Sequence, residues 1–286
     1  MSLSRRPHRP EGMILVTGAS GTVGRPLVEL LVSAGLKVRA VARNPSALPR
    51  SVEVVDRPVL EGVTGLFVNP RAVGDDIDGL LAEGKGVLKR VVVLSAVNVD
   101  DDLDMQPSRW RGDRNTEVER AVTASGLDWV ALRPTTFAAN AFGLWAEQIQ
   151  HGDTVRGSYA EATWSPIHEL DLAEVALHAF LDDGLLGTRP VLTGPESLTQ
   201  REMVSAIGDA MGRELTYLEM APEVARAALV GRGFPAGFAA GLLSLQARSV
   251  GVPALITNEV RRALGRPALT FARWASDNAY VFGRAA

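Results

Sequence analysis

The chain has 286 residues, enough for one large domain with a buried core or for a domain with an appended lobe. Its 46% hydrophobic and 22% charged residues are ordinary for a globular protein, and a net charge of −3 with no Lys/Arg stripe argues against a nucleic-acid partner. It has no cysteine, which excludes disulfides, thiolate catalysis and Cys-ligated metal.

Residues 1–12, "MSLSRRPHRPEG", lack the apolar core of a secretory signal. They read as a disordered or expression-derived tail, with Met13 as an alternative start. No apolar run approaches the roughly 18 residues of a membrane span. The histidines His8, His151, His168 and His178 have no metal-ligand spacing, so no metal is expected. The expected setting is the cytoplasm, with the chain as a monomer or homodimer and a small molecule as its partner.

Residues 13–17 form a short apolar, β-branched run, the signal of a buried strand. A helix is predicted over 23–33, closed by Gly35. Further strands are predicted at 37–42, 52–55, 65–68, 90–94 and 129–132, with helices at 75–83, 114–125 and 140–150. Strands alternating with helices predict an α/β chain, a Rossmann-type doubly wound parallel sheet over 13–151. Only "RPVLEG" separates Asp56 from Val63. Six residues reach roughly 20 Å, so an extended or single-turn link is predicted there instead of a helix. From 152 to 286 the texture changes to short strands mixed with helices, a smaller C-terminal α+β lobe partly woven into the sheet domain. Thr199 followed by Glu202 is a capping box for a helix over 200–211.

The stretch "ILVTGASGTVGRPLVELL" places three glycines between a strand and a helix. Gly18 lets the chain leave the strand, Gly21 lets backbone approach a pyrophosphate, and Gly24 lets the helix pack on the strand. The helix start aims free N–H groups at the anion. Gly18, Ser20, Gly21, Thr22, Val23 and Gly24 are therefore candidate cofactor residues. The second strand ends "RAVARNP", with Arg43 where an acid would hold a ribose hydroxyl. A guanidinium suits a 2′-phosphate, which predicts NADP(H), with NAD(H) as second choice. Asn44 and Asn69 join the candidate cofactor set.

"ILVTGASGTVG", "VARNP", "VVVLSAV", "ASGLDWVALRPTTFAAN" and "SPIHELDLAEVALHAFL" occur in one order. Together they resemble the NmrA-like branch of the atypical short-chain dehydrogenase/reductase superfamily, over nearly the whole chain. That group includes NAD(P)H-dependent quinone reductases, triphenylmethane-dye reductases and redox sensors that bind NADP without turnover. The resemblance implies a nicotinamide running towards residues 94–97 and 133–137, with Pro134 at its end as a further candidate cofactor residue. It implies a substrate pocket between the sheet and the lobe, with "GFPAGFAAGLLSLQ" as one wall.

The chain departs from the superfamily at its Ser, Tyr and Lys. Ser95 takes the Ser-like place, but the Tyr and Lys positions fall on Arg111 and Asn115, and the first tyrosine is Tyr159. The candidate catalytic residues are thus Ser95, Asn115 and Arg111, without the phenolic proton donor. Arg111 cannot release a proton near neutrality but can bind an anionic or enolate-like group. A conjugated acceptor, such as a quinone or an aromatic or polyketide-like carbonyl, tolerates that loss, because solvent can protonate a stabilised anion. The rival reading is a non-catalytic NADP(H)-binding sensor, and a third is a sugar-nucleotide epimerase-like enzyme.

Phe137, Asn140 and His168 are candidate pocket residues, with a half-buried structural role the alternative for His168 and a helix cap for Asn140. Asp171 is expected at the start of its helix, where an acid is favoured. The run "DDDLD" at 100–104 reads as a solvated loop, with a metal site or an active-site flap as the functional alternative. Trp110, Trp145 and Trp164 are expected in the core, with a pocket cap as the alternative.

Overall fold

The computed structural model describes residues 12–283. Residues 1–11 lie outside this range, and with them nearly all of the expected tail. Strand β1 (Met13–Thr17) forms where the apolar run begins, and its last four residues are buried. Burial on both faces is what a central parallel strand requires. It lies between β2 (Lys37–Val41) and β4 (Val63–Val68). With β3 (Glu53–Val55), β5 (Arg90–Leu94), β6 (Asp128–Pro134) and β9 (Val191–Leu192), the main sheet among the described residues has seven parallel strands. Their order is β3-β2-β1-β4-β5-β6-β9. The order turns back between β1 and β4, which opens a crevice at their carboxyl ends.

Helices cover both faces, and the pleat decides which side chain goes where. Ile14 and Val16 join Leu27, Phe67 and Phe180 under α1 (Gly24–Ser33) and α6 (Glu169–Leu181). Leu15, between them, joins Leu66, Leu80, Val93 and Val122 under α3 (Ile77–Glu83) and α4 (Asn115–Ala124). A four-residue turn of helix, α2 (Pro70–Val73), follows β4.

The link from β3 to β4 contains no helix, as predicted. It crosses three strand spacings, about 14 Å, well within reach of its extended chain. Arg39 on β2 fastens it. This buried guanidinium donates to the carbonyls of Val59 (2.8 Å) and Glu61 (2.7 Å) and pairs with Glu53 at 2.8 Å.

A third apolar cluster gathers Trp145, Ile149, Ile207, Tyr217, Trp274 and Phe282. Its elements are α5 (Glu147–His151), β7 (Thr154–Gly157), α7 (Gln200–Met211), β11 (Thr216–Glu219) and α11 (Phe271–Asp277). β11 pairs with β7 in parallel, and β8 (Thr163–Trp164) pairs with β10 (Leu198–Thr199) antiparallel. The capping box of α7 is present: Thr199 Oγ1 accepts from the Glu202 amide, and the Glu202 carboxylate accepts from the Thr199 amide. The helix expected over 140–150 carries a π-helical stretch, Phe142–Ala146, just before α5. α8 (Pro222–Gly231), α9 (Ala236–Ser249) and α10 (Glu259–Leu264) complete the chain, and α10 packs on α6. Among the described residues no helix is long and apolar enough to cross a membrane, and no group of His, Asp or Glu side chains could hold a metal ion.

Candidate nucleotide and substrate site

The glycine turn sits at the switch point. The Thr17 hydroxyl donates to the Phe67 carbonyl at 3.0 Å and accepts from the Asn69 amide at 2.8 Å, joining the ends of β1 and β4. Gly18 then adopts φ +64°, and a Cβ there would meet the Asn69 side chain at 2.8 Å. The Gly21 amide closes the turn on the Gly18 carbonyl at 2.9 Å. The Ala19 amide docks it on the Val41 carbonyl at the end of β2. The backbone amides of Ser20, Thr22 and Val23 have no acceptor among the described residues. Three open N–H groups at the positive end of α1 form a cradle for an anion. The turn therefore fits a pyrophosphate.

Gly24 is the tightest point. A Cβ there would lie 2.2 Å from the Gly18 carbonyl oxygen and 2.9 Å from the Ala19 Cα, and neither is a flexible side chain. Gly24→Ala should push α1 off the turn and cost about 1–3 kcal/mol, as overpacking does. Denaturant unfolding measures this; an unchanged midpoint would mean that the helix start adjusts freely.

Arg43 is exposed at the end of β2 and has no ion pair or hydrogen bond among the described residues. The Asn44 side-chain oxygen is taken by the Ser46 amide (3.2 Å) and hydroxyl (2.7 Å), so it shapes the loop that carries Arg43. The Asn69 side-chain oxygen accepts from the Arg71 amide at 3.1 Å and starts α2.

Beyond β5 and β6 lies a buried charge network. Glu119 on α4 is 4% exposed. It accepts from Arg133 on β6 (2.6 and 3.1 Å), from Arg189 (3.0 Å) and from the Ser95 hydroxyl. Arg133 also reaches Asp100 at 2.7 Å. Burial pushes the Glu119 carboxyl up, but the bonds from Arg133 and Ser95, the Arg133 charge and the Arg189 bond together hold it below its ordinary value.

Helix α9 packs on two single-turn segments that follow β5, Leu103–Met105 and Pro107–Arg111. Trp110 lies against Gly237, where a Cβ would fall 2.3 Å from its ring. At the far end of α9 the Ser249 carbonyl accepts from Thr163 of β8 at 3.2 Å. The helix thus runs from the segment after β5 to β8.

No family model matches the chain. A (4-alkanoyl-5-oxo-2,5-dihydrofuran-3-yl)methyl phosphate reductase from Streptomyces griseus subsp. griseus is 34% identical over 285 residues, covering 94% of this chain and 99% of that protein. The chain belongs to the NmrA-like branch of the atypical short-chain dehydrogenase/reductase superfamily. An NAD(P)H azoreductase from Xenophilus azovorans is 29% identical over 291 residues, covering 96% of this chain and 100% of that one. Among solved structures, a double-mutant NmrA shares the fold at 17% identity with a TM-score of 0.68, over 96% of this chain and 97% of that chain.

This NmrA-like chain does not gather all the candidate residues at one point. Ser95 is buried and its hydroxyl donates to Glu119, which makes it part of the charge network. Asn115 stands at the first turn of α4, half-buried, with no hydrogen bond among the described residues. Pro134 is buried at the end of β6, and Phe137 bridges to Ile167 and packs on the core under α6. Asn140 is exposed and its side chain caps nothing.

His168 takes the structural role that was its alternative: its Nδ1 accepts from the Leu170 amide at 3.1 Å and caps α6, and its Nε2 faces Asp277 of α11 at 3.8 Å without a hydrogen bond. Asp171 stands in the first turn of α6, as expected. It is fully buried, pairs with Arg266 at 2.7 Å and accepts from the Leu269 amide at 2.8 Å, which fastens the chain after α10. Trp145 is buried as expected, whereas Trp110 is 51% exposed.

Glu119, Arg133 and Arg189 escaped the reading of the sequence. The available signal was a charge inside an apolar pattern: Glu119 between Val118 and Val122 on a helix, and Arg133 ending the strand "WVALRP".

Proposed function

We propose that this protein is an NADP(H)-dependent reductase of a small conjugated acceptor. The pairing of an anion cradle at Gly18–Gly24 with an unpaired guanidinium at Arg43 carries the cofactor part of this reading. The open amides of Ser20, Thr22 and Val23 would hold the pyrophosphate, and Arg43 the 2′-phosphate. The bound nicotinamide supplies a hydride.

The acceptor class follows from the proton. Arg111 and Asn115 occupy the positions of the family's Tyr and Lys, Ser95 is engaged by Glu119, and His168 is turned to α11. None of these four candidate side chains is placed to protonate an alkoxide. In a conjugated acceptor, hydride adds to the terminal carbon and the electron pair moves onto a carbonyl oxygen. The resulting enolate or hydroquinone anion is stable enough to take its proton from water. The name of the Streptomyces griseus relative agrees with this: an oxodihydrofuran bearing an alkanoyl group is a conjugated acceptor.

The test compares acceptors with the same protein. A positioned general acid is worth about 10²–10⁴-fold. Conjugated enones and quinones should therefore be reduced with kcat/KM at least about 100-fold above plain aliphatic ketones. Efficient ketone reduction would refute the reading.

A further inference from the structure

Arg111 stands apart from the arginines around it. Arg109 pairs with Glu117 at 2.6 Å, Arg114 with Asp75 at 3.3 Å, Arg71 with Asp113 at 2.7 Å, and Arg133 with Glu119 and Asp100. Arg111 has no carboxylate partner and no hydrogen bond among the described residues. Its Cζ instead lies 5.5 Å from the ring centre of Phe238 and 5.9 Å from that of Phe234. The two rings stack 5.2 Å apart.

Arg232 approaches the same Phe234 ring at 5.7 Å. Its charge is met by Glu147 at 3.3 Å, and its Nη atoms donate to the carbonyls of Gly143 and Leu144 in the π-helical stretch. Two cations thus share one ring, and only one of them is neutralised. Phe234 also stands beside Gly143, whose Cβ would lie 4.0 Å from the ring tip. The ring therefore links the segment after β5 to the helix after β6, at the carboxyl ends of both strands.

An aromatic ring attracts a cation through its negative face. It offers nothing to the five N–H donors of the guanidinium edge. Packing thus holds the Arg111 fork while its donors stay open to solvent. A planar fork of this kind matches a phosphate or a carboxylate.

We infer that Arg111 anchors an oxyanion arm, a phosphate monoester or a carboxylate, on the molecule this protein reduces. For the reaction this rests on the reductase reading; for the binding it does not.

The test is calorimetry on the full chain saturated with NADP+, with phenyl phosphate, benzoate and benzyl alcohol as probes. The wild type should bind at least one of the two anions tenfold or more tightly than the alcohol, and the stronger anion identifies the arm. Arg111→Met keeps the stem and should bring that anion to the level of the alcohol, while Arg111→Lys should recover part of the difference. Equal binding of all three probes, no binding of either anion, or anion binding that survives Arg111→Met would overturn the inference. Anion binding that depends on Arg111 in a protein that oxidises NADPH with no acceptor would leave the anchor standing and remove the reductase reading.

Discussion

Arg43→Ala should weaken NADPH binding roughly 10–100-fold and leave NADH binding nearly unchanged. The expectation follows from where the guanidinium stands and what surrounds it. It lies at the end of β2, beside the turn that docks on Val41, and no carboxylate in the described chain competes for it. A 2′-phosphate on the adenosine ribose would take hydrogen bonds from it, each worth about 1.5–3 kcal/mol when charged. Every 1.4 kcal/mol is a factor of ten in affinity. NADH lacks that phosphate, so the same substitution removes nothing from it. Because Arg43 is exposed, the preference for NADPH should also shrink as salt screens the pair. Calorimetric titration of both nucleotides, at low and at high salt, reads all of this. Equal losses for the two would move Arg43 to a part of the nucleotide that they share.

The parts of the molecule that repeat a local rule were readable from the sequence. β1 covers the same residues as its apolar, β-branched run, because a strand buried on both faces takes apolar side chains along most of its length. α7 starts at its capping box, because Thr199 and Glu202 satisfy each other's amides within four residues. The glycine turn is equally local. The charge network is not. Glu119 and Arg133 are 14 residues apart, Ser95 and Glu119 are 24 apart, and Arg189 is 70 from Glu119. Nothing near Ser95 in the chain reveals that its hydroxyl is already spoken for. The surroundings of His168 are distant in the same way, since its cap is local but its facing group, Asp277, is more than a hundred residues away. Arg111 differs again. Its seat on Phe234 and Phe238 is set by residues more than a hundred positions further along the chain.

Glu119→Gln should destabilise the protein by about 3–5 kcal/mol, the usual cost of removing one partner from a buried ion pair. The reason is the number of donors aimed at one carboxylate. Arg133 makes two of its bonds, Arg189 another and Ser95 a fourth, all on a residue 4% exposed. A carboxamide keeps the shape but cannot balance Arg133, whose only other carboxylate among the described residues is the exposed Asp100. It also turns a donor towards donors. The same carboxylate gives the effect a pH signature. Its folded-state value lies below its ordinary value of 4.5, despite the opposing effect of burial, because Arg133, Ser95 and Arg189 stabilise the charged form. The stabilisation is therefore fully present above the unfolded-state value and is lost as pH falls through the folded one. Denaturant unfolding of both proteins should give a gap that is flat from neutrality down to about pH 5 and narrows in more acidic solution. A gap that held constant into that acidic range would mean that Glu119 acts through packing alone. Neither outcome touches the glycine turn, so nucleotide binding measured on the folded Glu119→Gln variant should match the wild type.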